Sequence, residues 1–235
     1  TRAVMSFSKL LGILLSFVLV TPLFFWSDYA FPFLCPKIIG FLFFVIIAIP
    51  IYLAILLKQP NSLARMRHPV LLTLVFFLVV ITLSAILGTD PLHSFFGSIQ
   101  RPLGIIVYFH LFLWALFLFE LFHADPRWKQ RLVTILLSVA SVAASYTLVE
   151  SWFLPSFASM NNRVASLLGN PAYLASYLII PLFFSLARTH TTKRKERILY
   201  LCLSTLMGTA IFLTGTRGSI IGLIAGALFW IFVHS

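Results

Sequence analysis

The sequence predicts an all-α, polytopic integral membrane bundle of about eight transmembrane helices with a cytoplasmic N-terminus. Three observations carry that prediction. The 235 residues are 60% hydrophobic and only 10% charged, with a mean hydropathy of +1.03, whereas soluble domains are roughly a quarter charged. The apolar residues stand in unbroken runs rather than alternating, which selects helices over a transmembrane β-barrel. The basic residues gather in every second connection between those runs, as expected when Lys and Arg hold loops on the cytoplasmic side.

A spanning helix needs about 20 apolar residues. Eight runs qualify or nearly qualify: Leu10–Trp26, Ile38–Leu57, Val70–Gly88, Leu103–Phe122, Leu132–Trp152, Pro171–Ala187, Ile198–Leu213 and Ser219–Val233. The first is too long and too aromatic at its end for a cleaved signal peptide, and no small-residue cleavage site lies near Trp26. The 17 Lys and Arg outnumber six Asp and Glu, a formal charge of +11. Most lie at Arg2 and Lys9, at Lys58, Arg65 and Arg67, at 127–131 and at 188–197. This alternation places the N-terminus in the cytoplasm and fixes the parity of the spans. The excess is therefore topological rather than a nucleic-acid footprint. Cys35 and Cys202 fall in unrelated segments, with no disulfide framework or metal spacing. No Gly-rich nucleotide loop, metal-ligand pair or nucleophile triad is visible.

The opposite connections carry only Lys37, Arg101, Arg163 and Arg217. Lys37 opens a span and reads as an interfacial anchor. Arg217 lies in Thr214-Gly215-Thr216-Arg217-Gly218-Ser219, a tight turn between two short spans of about 24 and 22 Å. An arginine held that near the bilayer pairs, faces a polar cavity or snorkels to lipid phosphate. Its planar fork suits phosphate. Gly218, Gly222 and Gly226 follow at spacing four and predict close helix packing behind it. Arg163 lies in the longest outer connection, just before Asn170-Pro171. Asn as cap and Pro at the first helical position predict a helix start there, whose N–H groups favour an anion. Asp90 and Arg101 bracket a third outer segment and pair with each other or line a cavity mouth. Tyr146 and Glu150 share a helix face, and Glu150 is expected to pair with an outer arginine. Glu120 and His123 are expected at the cytoplasmic interface, and His110 in a helix–helix hydrogen bond.

Three segments carry a resemblance. Asp90…Ser94-Phe95-Phe96-Gly97…Arg101…Gly104, Arg163…Gly169-Asn170-Pro171…Leu174-Ala175…Leu178 and Thr214-Gly215-Thr216-Arg217-Gly218-Ser219 are together similar to the O-antigen ligase / O-antigen polymerase-like family of bacterial integral membrane proteins. The likeness runs from about Asp90 to Ser235, and the family's ligase-like region would begin near residue 198. It implies a glycosyltransferase of the bacterial inner membrane, its active face outward. Such proteins move a glycan from undecaprenyl pyrophosphate to lipid A-core, a growing glycan or a protein hydroxyl, with no cofactor, no nucleotide sugar and no required metal. The positions that match the family's pyrophosphate-holding arginines are Arg163 and Arg217, with Arg101 a weaker match. Family members continue into a large periplasmic loop bearing a histidine proposed as the acceptor-activating base. His234 is not that residue, so residues 1–235 read as a single transmembrane domain forming the N-terminal part of a longer protein, inactive by itself. The alternatives are a transporter or flippase of lipid-linked or anionic solutes, and a structural membrane subunit whose arginines bind lipid.

Overall fold

A computed structural model describes residues 2–29, 31–58, 67–98, 102–153 and 163–234. The described residues form helices and no strand. In chain order these are α1 (Arg2–Val20), α2 (Cys35–Lys58), α3 (Pro69–Ile86), α4 (Pro91–Phe96), α5 (Ile105–Ala124), α6 (Arg127–Phe153), α7 (Pro171–Thr191), α8 (Arg194–Leu213) and α9 (Arg217–His234). Seven helical segments are long and apolar enough to cross a membrane, and the eighth apolar helix, Arg217–Val233, is shorter. The chain is thus an all-α, multi-pass membrane protein. The span Ile198–Leu213 expected from hydropathy is too short: α8 begins four residues earlier, because Arg194, Lys195, Glu196 and Arg197 wind into its first turn. Hydropathy loses a helix where its charged end leaves the hydrocarbon.

The chain divides into two compact units, residues 1–132 and 133–235. In the first, α1 packs on α2, and α5 packs on both. Leu11, Leu15, Val45, Ala48, Ile55 and Leu121 are fully buried. Stacked Phe17 and Phe44 and the tilted pair Tyr52–Phe117 fill the seams, with ring centroids 5.2 and 4.9 Å apart. Outward-facing apolar residues such as Phe43, Phe76 and Leu83 are exposed, as a helix facing hydrocarbon requires. Lys37 anchors the start of α2 by donating to the Phe24 carbonyl at 2.6 Å.

Two polar residues of α5 depart from expectation. Glu120 is 2% exposed rather than interfacial, because α5 runs on to Ala124 and carries it more than one turn inside the helix end. His110 bonds the Ile106 carbonyl of its own helix at 2.7 Å, not a neighbour. Asp90 caps α4 by accepting from the His93 amide at 3.0 Å. Its expected partner Arg101 lies outside the described residues.

In the second unit, α7 and α8 form a closely packed helical hairpin. Leu174, Ala175, Leu178, Met207, Ala210 and Ile211 are fully buried. Ser185 ties the hairpin by donating to the Tyr200 carbonyl at 2.8 Å. The α9 glycine stripe meets α7 unevenly. A Cβ at Gly226 would fall 2.5 Å from Phe183, one at Gly222 3.8 Å from Ile179, and one at Gly218 would meet nothing within 4 Å. The expected tight packing therefore holds toward the C-terminal end of α9 and fails beside Arg217.

Candidate functional site

The second unit gathers Glu150, Arg163 and the Thr214–Arg217 turn into one hydrogen-bonded assembly. Glu150, in the last turn of α6, is 7% exposed. Its carboxylate accepts from the Ser166 amide at 2.6 Å and from the Ala165 amide at 3.3 Å. Ser166 adopts a positive φ of 51°, so these two consecutive amides converge on one anion, a backbone nest filled by a side chain. A non-glycine residue in that region costs about 1–3 kcal/mol. The Glu150 bonds and the Ser166 hydroxyl, which donates to the Ala143 carbonyl at 2.9 Å, offset that strain. Glu150 was expected to meet an arginine; here its acceptors are taken by the loop's backbone.

From this anchored loop Arg163 reaches the turn between α8 and α9. Its Nε donates to the Thr214 carbonyl and its Nη2 to Thr216 Oγ1, each at 2.8 Å. The turn itself is locally determined. Thr214 is fully buried and donates to the Ile211 carbonyl at 2.7 Å. Gly215 takes the left-handed conformation that ends a helix, at φ 60°, and a Cβ there would lie 3.6 Å from Arg163 Nε. Thr216 then opens α9 by accepting from the Ile220 amide at 3.1 Å. One edge of the Arg163 fork is thereby occupied by protein acceptors, and Arg163 shapes the turn that presents Arg217.

The two helix starts near these arginines differ. At α7, Pro171 has no N–H to offer, and Asn170 Oδ1 accepts from the amides of Ala172 at 2.8 Å and Tyr173 at 3.4 Å. The Leu174 amide already bonds the Asn170 carbonyl. The predicted cap is present, but it satisfies the donors that an anion was expected to use. At α9, the amides of Arg217, Gly218 and Ser219 meet no acceptor among the described residues. Arg217 itself is exposed at the first helical position. Open amides, the positive end of the helix dipole and a guanidinium favour a phosphate-like anion there.

Of the three arginines singled out by sequence, the structure thus brings Arg163 to the turn that carries Arg217, while Arg101 is outside the described residues. Sequence reasoning missed Glu150 and Ser166 as the brace of the loop. Among the described residues, no group of three or more His, Cys, Asp or Glu is arranged to hold a metal ion.

No protein-family model matches the chain, and neither does any curated protein or solved structure.

Proposed function

We propose that this protein is an O-antigen ligase-like glycosyltransferase. In this reading it moves a glycan from undecaprenyl pyrophosphate to lipid A-core, a glycan or a protein on the outer face of the bacterial inner membrane. The observation that supports the reading best is the start of α9. An exposed Arg217 and three amides that meet no acceptor among the described residues follow a turn that Arg163 holds from 51 residues away in sequence. Such a constellation suits the leaving pyrophosphate. The acceptor oxygen bonds to the anomeric carbon as the bond from that carbon to the pyrophosphate oxygen breaks. The acceptor's proton passes to a general base, which the family resemblance puts on a later periplasmic loop. Undecaprenyl pyrophosphate leaves with its added negative charge held by preorganised donors. Arg217 is the direct phosphate ligand and Arg163 the residue that positions it.

A second reading, a transporter or flippase, draws on Glu120, a carboxylic acid buried within an apolar helix. Solute flux in vesicles without any covalent product would favour it.

The test is glycan transfer in membranes of cells expressing the gene. Arg217→Ala is expected to lower transfer by about 100-fold or more, the scale of losing a donor aimed at developing charge, with membrane insertion intact. Arg163→Ala gives a smaller but clear loss, and Arg163→Lys restores little, because an ammonium does not reproduce the Nε and Nη2 pair. Wild-type transfer by Arg217→Ala would overturn the assignment.

A further inference from the structure

The turn between α7 and α8 carries a concentration of positive charge that the glycan-transfer reading does not use. Two residues, Thr192 and Lys193, join Thr191 at the end of α7 to Arg194 at the start of α8. The Thr192 hydroxyl donates to the Arg188 carbonyl at 2.8 Å, and Ser185 bridges the two helices, so the turn is fixed to both. Lys193, Arg194, Lys195 and Arg197 are all exposed, and Glu196 is the one acid among them.

These four bases stand where a helix least favours them. The start of a helix is the positive end of its dipole, and like charges three or four residues apart repel. Arg188, in the last turn of α7, has the favourable negative end instead. Among the described residues, no carboxylate, carbonyl or aromatic ring engages the side chains of Lys193, Arg194, Lys195 or Arg197. The start of α6 is the contrast. There Asp125 accepts from the Arg127 amide at 3.1 Å. The Lys129 ammonium lies 5.7 Å from the centroid of the Phe122 ring, and the Arg131 guanidinium 5.0 Å from that of Trp128.

The surface that continues from the α8 bases is apolar. Arg194, Lys195 and Arg197 each lie four residues before an exposed apolar residue, namely Ile198, Leu199 and Leu201. Residues four apart are neighbours on a helix surface. Exposed bases one turn from exposed hydrocarbon are complementary to an amphiphile with a negative head and an apolar tail. A soluble anion would use only the bases.

We propose that the α7–α8 turn is a binding surface for an anionic membrane phospholipid of the leaflet in which it lies. The phosphate meets Arg194, Lys195 and Arg197, and an acyl chain runs along Ile198, Leu199 and Leu201. Bases that repel one another in the bare protein are then neutralised by one headgroup. A basic residue beside a span is worth about fivefold in preference for an anionic lipid. The proposal is independent of glycan transfer.

The test uses the full chain in nanodiscs containing equal amounts of phosphatidylglycerol and phosphatidylcholine, released into mild detergent for native mass spectrometry. The wild-type protein is expected to retain phosphatidylglycerol over phosphatidylcholine by about fivefold or more. Arg194→Gln combined with Lys195→Gln and Arg197→Gln should bring the ratio close to one, and Arg194→Gln alone should lower it part-way. Lys129→Gln with Arg131→Gln, which removes bases already placed against rings, should keep it. Equal retention of the two lipids by the wild-type protein overturns the proposal, whether or not the variants insert. So does an unchanged ratio in the triple variant. An equal fall in the α6 variant also overturns it, since retention then follows total charge rather than this turn. Displacement of phosphatidylglycerol by millimolar inorganic phosphate does the same, because the occupant is then a free anion. This surface and the α9 site are tested by different variants and readouts, so either can fail alone.

Discussion

The helix starts of α7 and α9 lie in the same unit, one after the loop that contains Arg163 and the other after the turn that Arg163 engages, yet they are built oppositely. The α7 start is closed. Proline removes one donor, Asn170 Oδ1 accepts two more, and the Asn170 carbonyl takes the next. The α9 start is open, because the hydroxyl of Thr216 is turned to Arg163 Nη2. A residue type that ordinarily caps a helix is here engaged by a guanidinium, and the first helix amides meet no acceptor among the described residues. A cap motif in a sequence therefore marks a helix start, but whether that start can receive an anion depends on what else the capping side chain meets.

The sharpest way to break the comparison is to remove its brace. Glu150→Ala would leave the buried amides of Ala165 and Ser166 unsatisfied beside a strained Ser166, at about 3 kcal/mol. A clear fall in the thermal midpoint is expected. Glu150→Gln should recover part of it, because its amide oxygen still accepts. An unchanged midpoint for Glu150→Ala would mean that the loop is not held by this carboxylate.

The stripe on α9 gives the next largest contrast. Gly226→Ala forces the Phe183 ring aside and is expected to destabilise the α7–α9 contact by about 2 kcal/mol. Gly218→Ala enters open space and should change stability by less than about 0.5 kcal/mol. Equal effects at the two positions would show that α9 packs uniformly along its glycines.

Asn170→Ala has the smallest expected effect, about 1 kcal/mol for a lost helix cap. It should leave glycan transfer at the wild-type level. Loss of transfer in a stably inserted Asn170→Ala protein would move the functional anion site from α9 to α7.

The helices were legible because they are written in unbroken apolar runs, and the α7 start because Asn170 and Pro171 act on their own neighbours. The α8 start was missed where charged residues complete a helix beyond the hydrocarbon. The candidate site was legible only in part. Arg163 and Arg217 stand out as basic residues in connections that otherwise lack them. Nothing local in the sequence pairs Arg163 with a turn some fifty residues later, or turns Glu150 from a presumed arginine partner into a backbone acceptor. The latter depends on Ser166 taking a positive φ that serine rarely adopts. Glu120 was misplaced because a two-residue extension of α5 suffices to bury it.

The most direct measurement of the central claim is undecaprenyl pyrophosphate binding to the protein in nanodiscs, compared across the wild type, Arg217→Ala and Asn170→Ala. The open α9 start predicts that Arg217→Ala weakens binding by about tenfold or more, the scale of a charge-assisted hydrogen bond, while Asn170→Ala binds as the wild type does. Wild-type affinity in Arg217→Ala, or a loss confined to Asn170→Ala, would contradict it.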